Sequence, residues 1–264
     1  MNMDVHAVKT SIRGKHWFQA LTADFSRIEQ GAESVWVADG QMSGKTVRVI
    51  AVVPHQHNLY PRAQHGEVGL LEGWTLAKAV DEVIQADWNN HHKRAIFCIV
   101  DVPSQAYGRR EELFGIHQAL AGAVDSYARA RLAGHPVISL LVGKSMSGAF
   151  LAHGYQANRI IALKDAGVMV HAMGKESAAR VTLRTVDELE KLAASIPPMA
   201  YDIESYATLG LLSDLLTVMN PEQPTTEDIA CVQDAFLQAL NDIQATGSTG
   251  LEHRLHGENR QMSK

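Results

Sequence analysis

The chain has 264 residues, 46% hydrophobic and 20% charged, enough apolar material for a substantial core in one large domain or two small ones. Lys plus Arg total 24 against 29 Asp plus Glu, and the net charge of −5 argues against a nucleic-acid partner. Two cysteines, Cys98 and Cys231, form no metal-ligand spacing and suit a reduced, cytoplasmic compartment, and with neither a run of transmembrane length nor a signal-peptide core no membrane partner is expected.

Met1 to Thr10 is polar and reads as a loose end. An amphipathic segment runs from Arg13 to about Ile28. Val35–Asp39, closed by Gly40, and Val47–Val53, ended by Pro54, read as strands. The loop His55–Gly66 holds His55, His57 and His65, which could ligate a metal only if carboxylates or Cys joined them, so no metal is assigned. Glu67–Gln85 is helical by the spacing of Leu70, Leu71, Trp74, Leu76, Ala77, Val80, Val83 and Ile84. Ala95–Val100 is apolar throughout, the pattern of a strand buried on both faces. Its C-terminal loop, Asp101–Gly108, lies where open α/β sheets place ligands. Arg109–Leu132 reads as one long helix with Leu113, Ile116, Leu120, Val124, Tyr127 and Leu132 on its apolar side, stopped by Gly134-His-Pro136.

Next comes the most informative stretch. A strand, Val137–Val142, enters a turn at Gly143–Gly148 and then a helix from Ala149 to about Gln156. Such a turn gathers free N–H groups that can hold an anion or an oxyanion. Gly143-Lys144-Ser145 lacks the upstream glycine of a P-loop, because position 138 is Ile138. Gly143-x-Ser145 lacks the closing glycine of a hydrolase elbow, because that position is Ser147. The plain alternative is a tight βα turn whose glycines and serines only permit close packing.

Beyond it, Arg159–Leu163 and Val168–Val170 are short strands. His171–Gly174 turns into a helix, Lys175–Arg180, and Glu188–Ala194 is a helix that ends before Pro197-Pro198. Asp202–Leu209 is a short helix, and Leu211–Leu216 is ambiguous. A last helix runs from Thr226 to about Ala245, with Glu227 and Asp228 complementing its dipole. The tail from Gly247 to Lys264 is polar and expected to fray. No internal repeat or domain linker is visible, so residues 1–264 read as a single domain. Alternating strands and helices imply an α/β chain with a mostly parallel sheet. Strand-to-helix turns after Val100, Val142 and Val170 are expected to crowd one sheet edge.

Asp101–Leu113 (DVPSQAYGRREEL), Val142–Gly154 (VGKSMSGAFLAHG) and Tyr155–Arg159 (YQANR) closely resemble the gamma subunits of biotin-independent malonate decarboxylases. Pro61-Arg62 and Gly66–Gly73 carry the same likeness, which spans roughly Val35 to Leu216. The two central stretches are more distantly similar to the alpha subunit of acetyl-CoA carboxylase carboxyltransferase. This resemblance implies the crotonase (ClpP/crotonase-like) fold of repeated ββα units, of carboxyltransferase type. Gly148–Leu151 and Val168–His171 also resemble the Clp protease. In that register the nucleophilic Ser falls on Met146 and the catalytic His on His171, with Ser145 and Ser147 one place off. The turn is retained and the hydrolase chemistry is not.

The resemblance further implies a cytoplasmic heterodimer with a malonate decarboxylase beta subunit, sharing one active site. Its substrate would be a malonyl thioester on an acyl carrier protein subunit, loaded with the help of an acyl carrier protein transferase subunit. The carrier's prosthetic arm is derived from dephospho-CoA, and no cofactor is bound by this chain itself. Decarboxylation makes an enolate, so the site must hold an oxyanion with fixed donors. The backbone of Ser145, Met146, Ser147 and Gly148 is one expected oxyanion hole, and that of Met173 and Gly174 a second donor. His171, Tyr107 or water would protonate the enolate carbon. His171 equally reads as a packing histidine at a strand end. Arg62, Arg109 and Arg110 are candidates for the arm's phosphates, against the alternative of surface Arg or ion pairs with Glu111 or Glu112. Lys144 would attract the malonyl carboxylate or merely snorkel from the turn. The alternatives are a biotin-dependent carboxyltransferase subunit, a non-catalytic structural half of the heterodimer, and a thioester hydrolase.

Overall fold

The computed structural model describes residues 10–247 and 249–255. The elements in chain order are α1 (Arg13–Leu21), β1 (Ser26–Ile28), β2 (Val35–Met42), β3 (Lys45–Val52), α2 (Leu70–Ala86), β4 (Ala95–Val102), α3 (Arg109–Leu113), α4 (Ile116–Leu132) and β5 (Val137–Met146). They continue with α5 (Ser147–Ala152), β6 (Arg159–Leu163), β7 (Met169–His171), α6 (Lys175–Thr182), α7 (Val186–Ala193), α8 (Ile203–Ala207), β8 (Asp214–Leu216) and α9 (Thr226–Thr246). One eight-stranded sheet runs in the order β1-β2-β3-β4-β5-β6-β8, and β7 joins it through β5. The β1–β2 and β2–β3 pairings are antiparallel and all the others are parallel.

Apolar β-branched runs form the middle of this sheet. All eight residues of β4 are buried, Asp101 among them, and the hydrophobic run Ala95–Val100 is that of a strand covered on both faces. Phe236 of α9 packs on Phe97 of β4 at a centroid distance of 5.0 Å. Trp17 and Phe18 of α1 are fully buried, and the Trp17 indole N–H donates to the Pro221 carbonyl at 2.8 Å. The first amphipathic segment thus ends at Leu21, and its remainder supplies the edge strand β1. Among the described residues no helix is long and apolar enough to cross a membrane.

Four expectations change in three dimensions. The long helix from Arg109 is two helices, broken at Gly115, whose φ of 79° leaves the right-handed helical region. The break turns α3 away from the buried face of α4, so Leu113 is 82% exposed and Phe114 is exposed beside it. Trp74, placed on the apolar side of α2 by spacing, is half exposed against Gly122. The ambiguous Leu211–Leu216 run contains β8, which closes the sheet beside β6. The tail docks as far as residue 255: Arg254 is buried and donates to the carbonyls of Tyr155 (2.9 Å) and Ala157. Residues 1–9 and 256–264 lie outside the described residues, and Thr10 meets His65 through a 2.8 Å hydrogen bond.

Candidate active site

The strand before the central turn does not stop at Val142. It continues as β5 to Met146, because two neighbours share its length. Its first half pairs with β6, Ile138–Leu141 against Arg159–Ala162, and its second half pairs with β7, Lys144–Met146 against Met169–His171. The expected turn at Gly143–Gly148 is therefore a strand end followed by one sharp corner at Ser147, with φ 57°. A non-glycine residue there stores strain, which three paired strands are able to hold. On the other side Val102 of β4 pairs with Ser145, so β4, β5 and β7 bring their C-terminal ends together.

Gly143 has a packing reason that no turn signal could reveal. A Cβ there would stand 2.1 Å from Asp101 Oδ1. The buried Asp101 carboxylate accepts from Ser11 Oγ (2.5 Å), Gly14 N–H (3.1 Å) and Lys144 N–H (3.2 Å), tying α1 to the ends of β4 and β5. Gly148, by contrast, has no atom closer than 3.5 Å to a Cβ. Its N–H donates to Gln105 Oε1 at 3.0 Å.

A cavity of about 360 Å³ opens beside the corner. Its walls include Ser147, Gly148, Phe150, Tyr155, His171 and Tyr206. Two candidates from the turn and one from β7 thus meet at one cavity. Ser145 and Met146 are not in its lining; both are buried in the sheet, and Ser145 Oγ has no hydrogen-bond partner. Burying an unpaired hydroxyl is unfavourable. Ser145→Ala is therefore expected to raise stability by about 0–1 kcal/mol, read from urea unfolding.

The His171 ring stacks on Tyr201, with centroids 3.9 Å apart and planes 15° from parallel. Its Nδ1 lies 2.9 Å from the Met173 carbonyl and 3.2 Å from the Met173 N–H. One tautomer donates to the carbonyl and leaves that N–H open to a ligand; the other accepts the N–H and closes it. Met173 N–H is thus free for another acceptor only in the Nδ1–H state, and neither Met173 nor Gly174 lines the cavity. Burial lowers the His171 pKa and so favours the neutral ring, against the raising effect of the Met173 hydrogen bond. Gly174 caps α6 directly behind this loop.

The expected phosphate ligands lie apart from the cavity. Arg62, Arg109 and Arg110 are exposed on the rim formed by α3 and the loop before α2. A Cβ on Gly108 would meet Glu111 Oε2 at 2.5 Å and Arg62 Nε at 2.6 Å, so both side chains converge over that glycine. The Arg110 guanidinium covers Tyr60 at 5.0 Å and Phe114 at 5.9 Å. Tyr107 is half exposed on the same rim, and Lys144 is half buried opposite Met169. Among the described residues no group of three or more His, Cys, Asp or Glu could hold a metal ion; His55 pairs with Glu33 instead, at 3.1 Å.

Beneath the corner, α5 is bolted to the core by His153. Its Nε2 lies 3.0 Å from the Ile99 carbonyl, and its Nδ1 lies 3.0 Å from the Tyr127 hydroxyl. The first contact demands Nε2–H, so Nδ1 accepts from Tyr127. Burial pushes the neighbouring Cys98 thiol up to about 12, against the lowering effect of its hydrogen bond with Tyr127. No sequence signal marks Asp101, Gln105 and His153 as site-building residues, because their roles depend on partners 26 or more positions away.

The chain as a whole resembles known proteins. The family model for the malonate decarboxylase gamma subunit matches residues 63–264. A chain of a Pseudomonas malonate decarboxylase hetero-tetramer, solved with coenzyme A, is 62% identical with a TM-score of 0.92, covering 95% of each chain. A chain of the Pseudomonas MdcD–MdcE heterodimer is 59% identical with a TM-score of 0.88, covering 96% of this chain and 95% of that one. The Malonyl-S-ACP:biotin-protein carboxyltransferase MADD of Malonomonas rubra is 32% identical over 199 residues, 74% of this chain but only 65% of that protein. The fold is the crotonase-like fold of the carboxyltransferases. With this fold, these motifs and a match that runs from residue 63 to the last residue, the chain belongs to the malonate decarboxylase gamma subunit family.

Proposed function

We propose that this chain pairs with a beta subunit and that the two decarboxylate a malonyl thioester on an acyl carrier protein. The C–C bond to the carboxylate breaks, CO2 leaves, and the bonding pair becomes the enolate of the acetyl thioester. A proton then adds to the enolate carbon. The observation that carries this reading is the corner itself: Gly148 and His171 share one cavity, while the position of a hydrolase nucleophile is the buried Met146. The chain's task is to hold the enolate oxygen at the corner backbone, where one such donor is worth about 2.7–4 kcal/mol. Met173 N–H adds a second donor in the Nδ1–H tautomer of His171. A neutral His171 suits hydrogen bonding and relay of a proton better than fixed positive charge, which would also stabilise the ground-state carboxylate. The exposed Arg62, Arg109 and Arg110 suit the phosphates of a dephospho-CoA-derived arm on the carrier. Their rim also exposes Leu59, Tyr107, Leu113 and Phe114, an apolar border that suits the beta subunit.

Carboxyl transfer to a biotinylated carrier is the second reading, and the similarity to MADD favours it. The test supplies malonyl-S-acyl carrier protein to this chain, to the beta subunit and to the mixture, and measures CO2 released. Release from the mixture alone is expected. Turnover that appears only when a biotinylated acceptor is added overturns decarboxylation in favour of transfer, and free malonate without CO2 would indicate a hydrolase.

A further inference from the structure

The Gly148 N–H is not idle in the free chain, since Gln105 Oε1 accepts it at 3.0 Å. The identity of that atom is forced, because an N–H only donates and an amide nitrogen offers no lone pair. Gln105 stands in the loop after β4, and its backbone is strapped in place. Val68 N–H donates to the Ser104 carbonyl at 3.1 Å, Ala106 N–H donates to the Val68 carbonyl at 2.8 Å, and residues 68 and 105 form a one-pair bridge. Only side-chain torsions are needed to swing the carboxamide away.

A carboxamide carbonyl and a thioester carbonyl present the same kind of sp2 oxygen to a donor. We propose that Gln105 is an internal stand-in for the substrate: its side-chain carbonyl fills the oxyanion position at Gly148 and yields that place when a thioester binds. The inference rests on the reading of Gly148 as an oxyanion donor. One N–H makes one well-aligned hydrogen bond, so the ligand cannot share it. Leu120 Cδ1 stands beside Gln105 Oε1, each 3.5 Å from where a Gly148 Cβ would lie, so the carboxamide gives the N–H a polar partner next to an apolar side chain between turnovers. The consequence is a tax on affinity. A ligand whose carbonyl seeks this N–H must first break the Gln105 bond, and a ligand without that carbonyl need not.

The test uses the complex with its beta subunit, titrated calorimetrically with acetyl-coenzyme A and with coenzyme A, which lacks only the acetyl group. Gln105→Ala is expected to tighten acetyl-coenzyme A binding roughly three- to tenfold and to leave coenzyme A unchanged. The KM for the malonyl thioester falls by a similar factor. Gln105→Glu is expected to weaken acetyl-coenzyme A binding, because a carboxylate holds the N–H more strongly. Gln105→Asn, too short to reach Gly148, repeats the alanine result in a side chain that keeps its polarity. Equal affinity of wild type and Gln105→Ala for acetyl-coenzyme A overturns the proposal. So does a loss of kcat without any gain in affinity, which would make Gln105 a support for the corner. A wild-type complex that binds acetyl-coenzyme A yet releases no CO2 sinks the decarboxylase reading instead, and the comparison of affinities still decides the role of Gln105.

Discussion

Gly143→Ala is expected to destabilise the chain by about 3–5 kcal/mol and to abolish CO2 release by its complex. The added methyl would lie 2.1 Å from Asp101 Oδ1 and 2.6 Å from Asp101 Cγ. Neither side can give way freely. Gly143 sits inside β5, and the Asp101 carboxylate is held by Ser11, Gly14 and Lys144. Forcing the carboxylate out adds about 1–3 kcal/mol of overpacking, and each buried donor left unpaired adds about 1–3 kcal/mol. Loss of the Lys144 N–H contact also loosens β5 three residues before the corner at Ser147, so activity falls with stability. Urea unfolding of the full chain measures the first effect, with Gly148→Ala as the comparison. That substitution finds no atom nearer than 3.5 Å and is expected to cost less than about 1 kcal/mol. A Gly143→Ala chain within about 1 kcal/mol of wild type would refute the account.

Acid is expected to remove about 3 kcal/mol of stability through His153 alone. Burial lowers its pKa to about 4 in the folded chain, against the raising effect of its bond to Ile99, from an ordinary 6.5. The folded state therefore holds the ring neutral at pH values where the unfolded chain has already taken a proton. Stability contributed by this group is complete above about pH 6.5, falls as pH drops toward 4, and changes no further below that. His153→Gln is the informative variant, because an amide still donates to Ile99 and accepts from Tyr127 but does not titrate. Unfolding midpoints of the two chains are measured from pH 4 to 7.5, and that of the wild type should fall relative to that of His153→Gln as pH drops. Parallel curves would show that the His153 ring is protonated in the folded state without penalty. Because α5 carries the corner, the same protonation is expected to weaken the site before the rest of the sheet.

Much of the architecture is legible along the chain because its cause is local. Ala95–Val100 and Val137–Val142 are apolar without alternation, and only a central parallel strand buries both faces. Thr225 and Asp228 start α9 with a capping box, although Asp228 does more than offset the dipole: buried, it also accepts from the N–H groups of Met219 and Asn220. The glycine-rich motifs carried the family resemblance and put Ser147, Gly148 and His171 in view together. Misreadings arose where the sequence pattern has no direction in space. Apolar spacing ran through Gly115, and Leu113 was credited with a buried face that the break in the helix turns to the outside.

By itself, the sequence determined most of the strands and helices, though not β1, β8 or the break between α3 and α4, and it determined the burial of β4 and β5, the loops that gather at one sheet edge, and the family. Periodicity, capping and short motifs depend on residues a few positions apart, so one dimension suffices for them. Tertiary structure alone decided that β5 runs on to Met146 beside β7, that the corner falls on Ser147, and that Ser145 is sealed inside the sheet. It also decided why position 143 is glycine, that Gln105 occupies the Gly148 N–H, and that His153 ties α5 to β4 and α4. Each of these is a contact between distant residues in a close-packed interior, where an ångström separates a bond from a clash and sequence spacing carries no such distance.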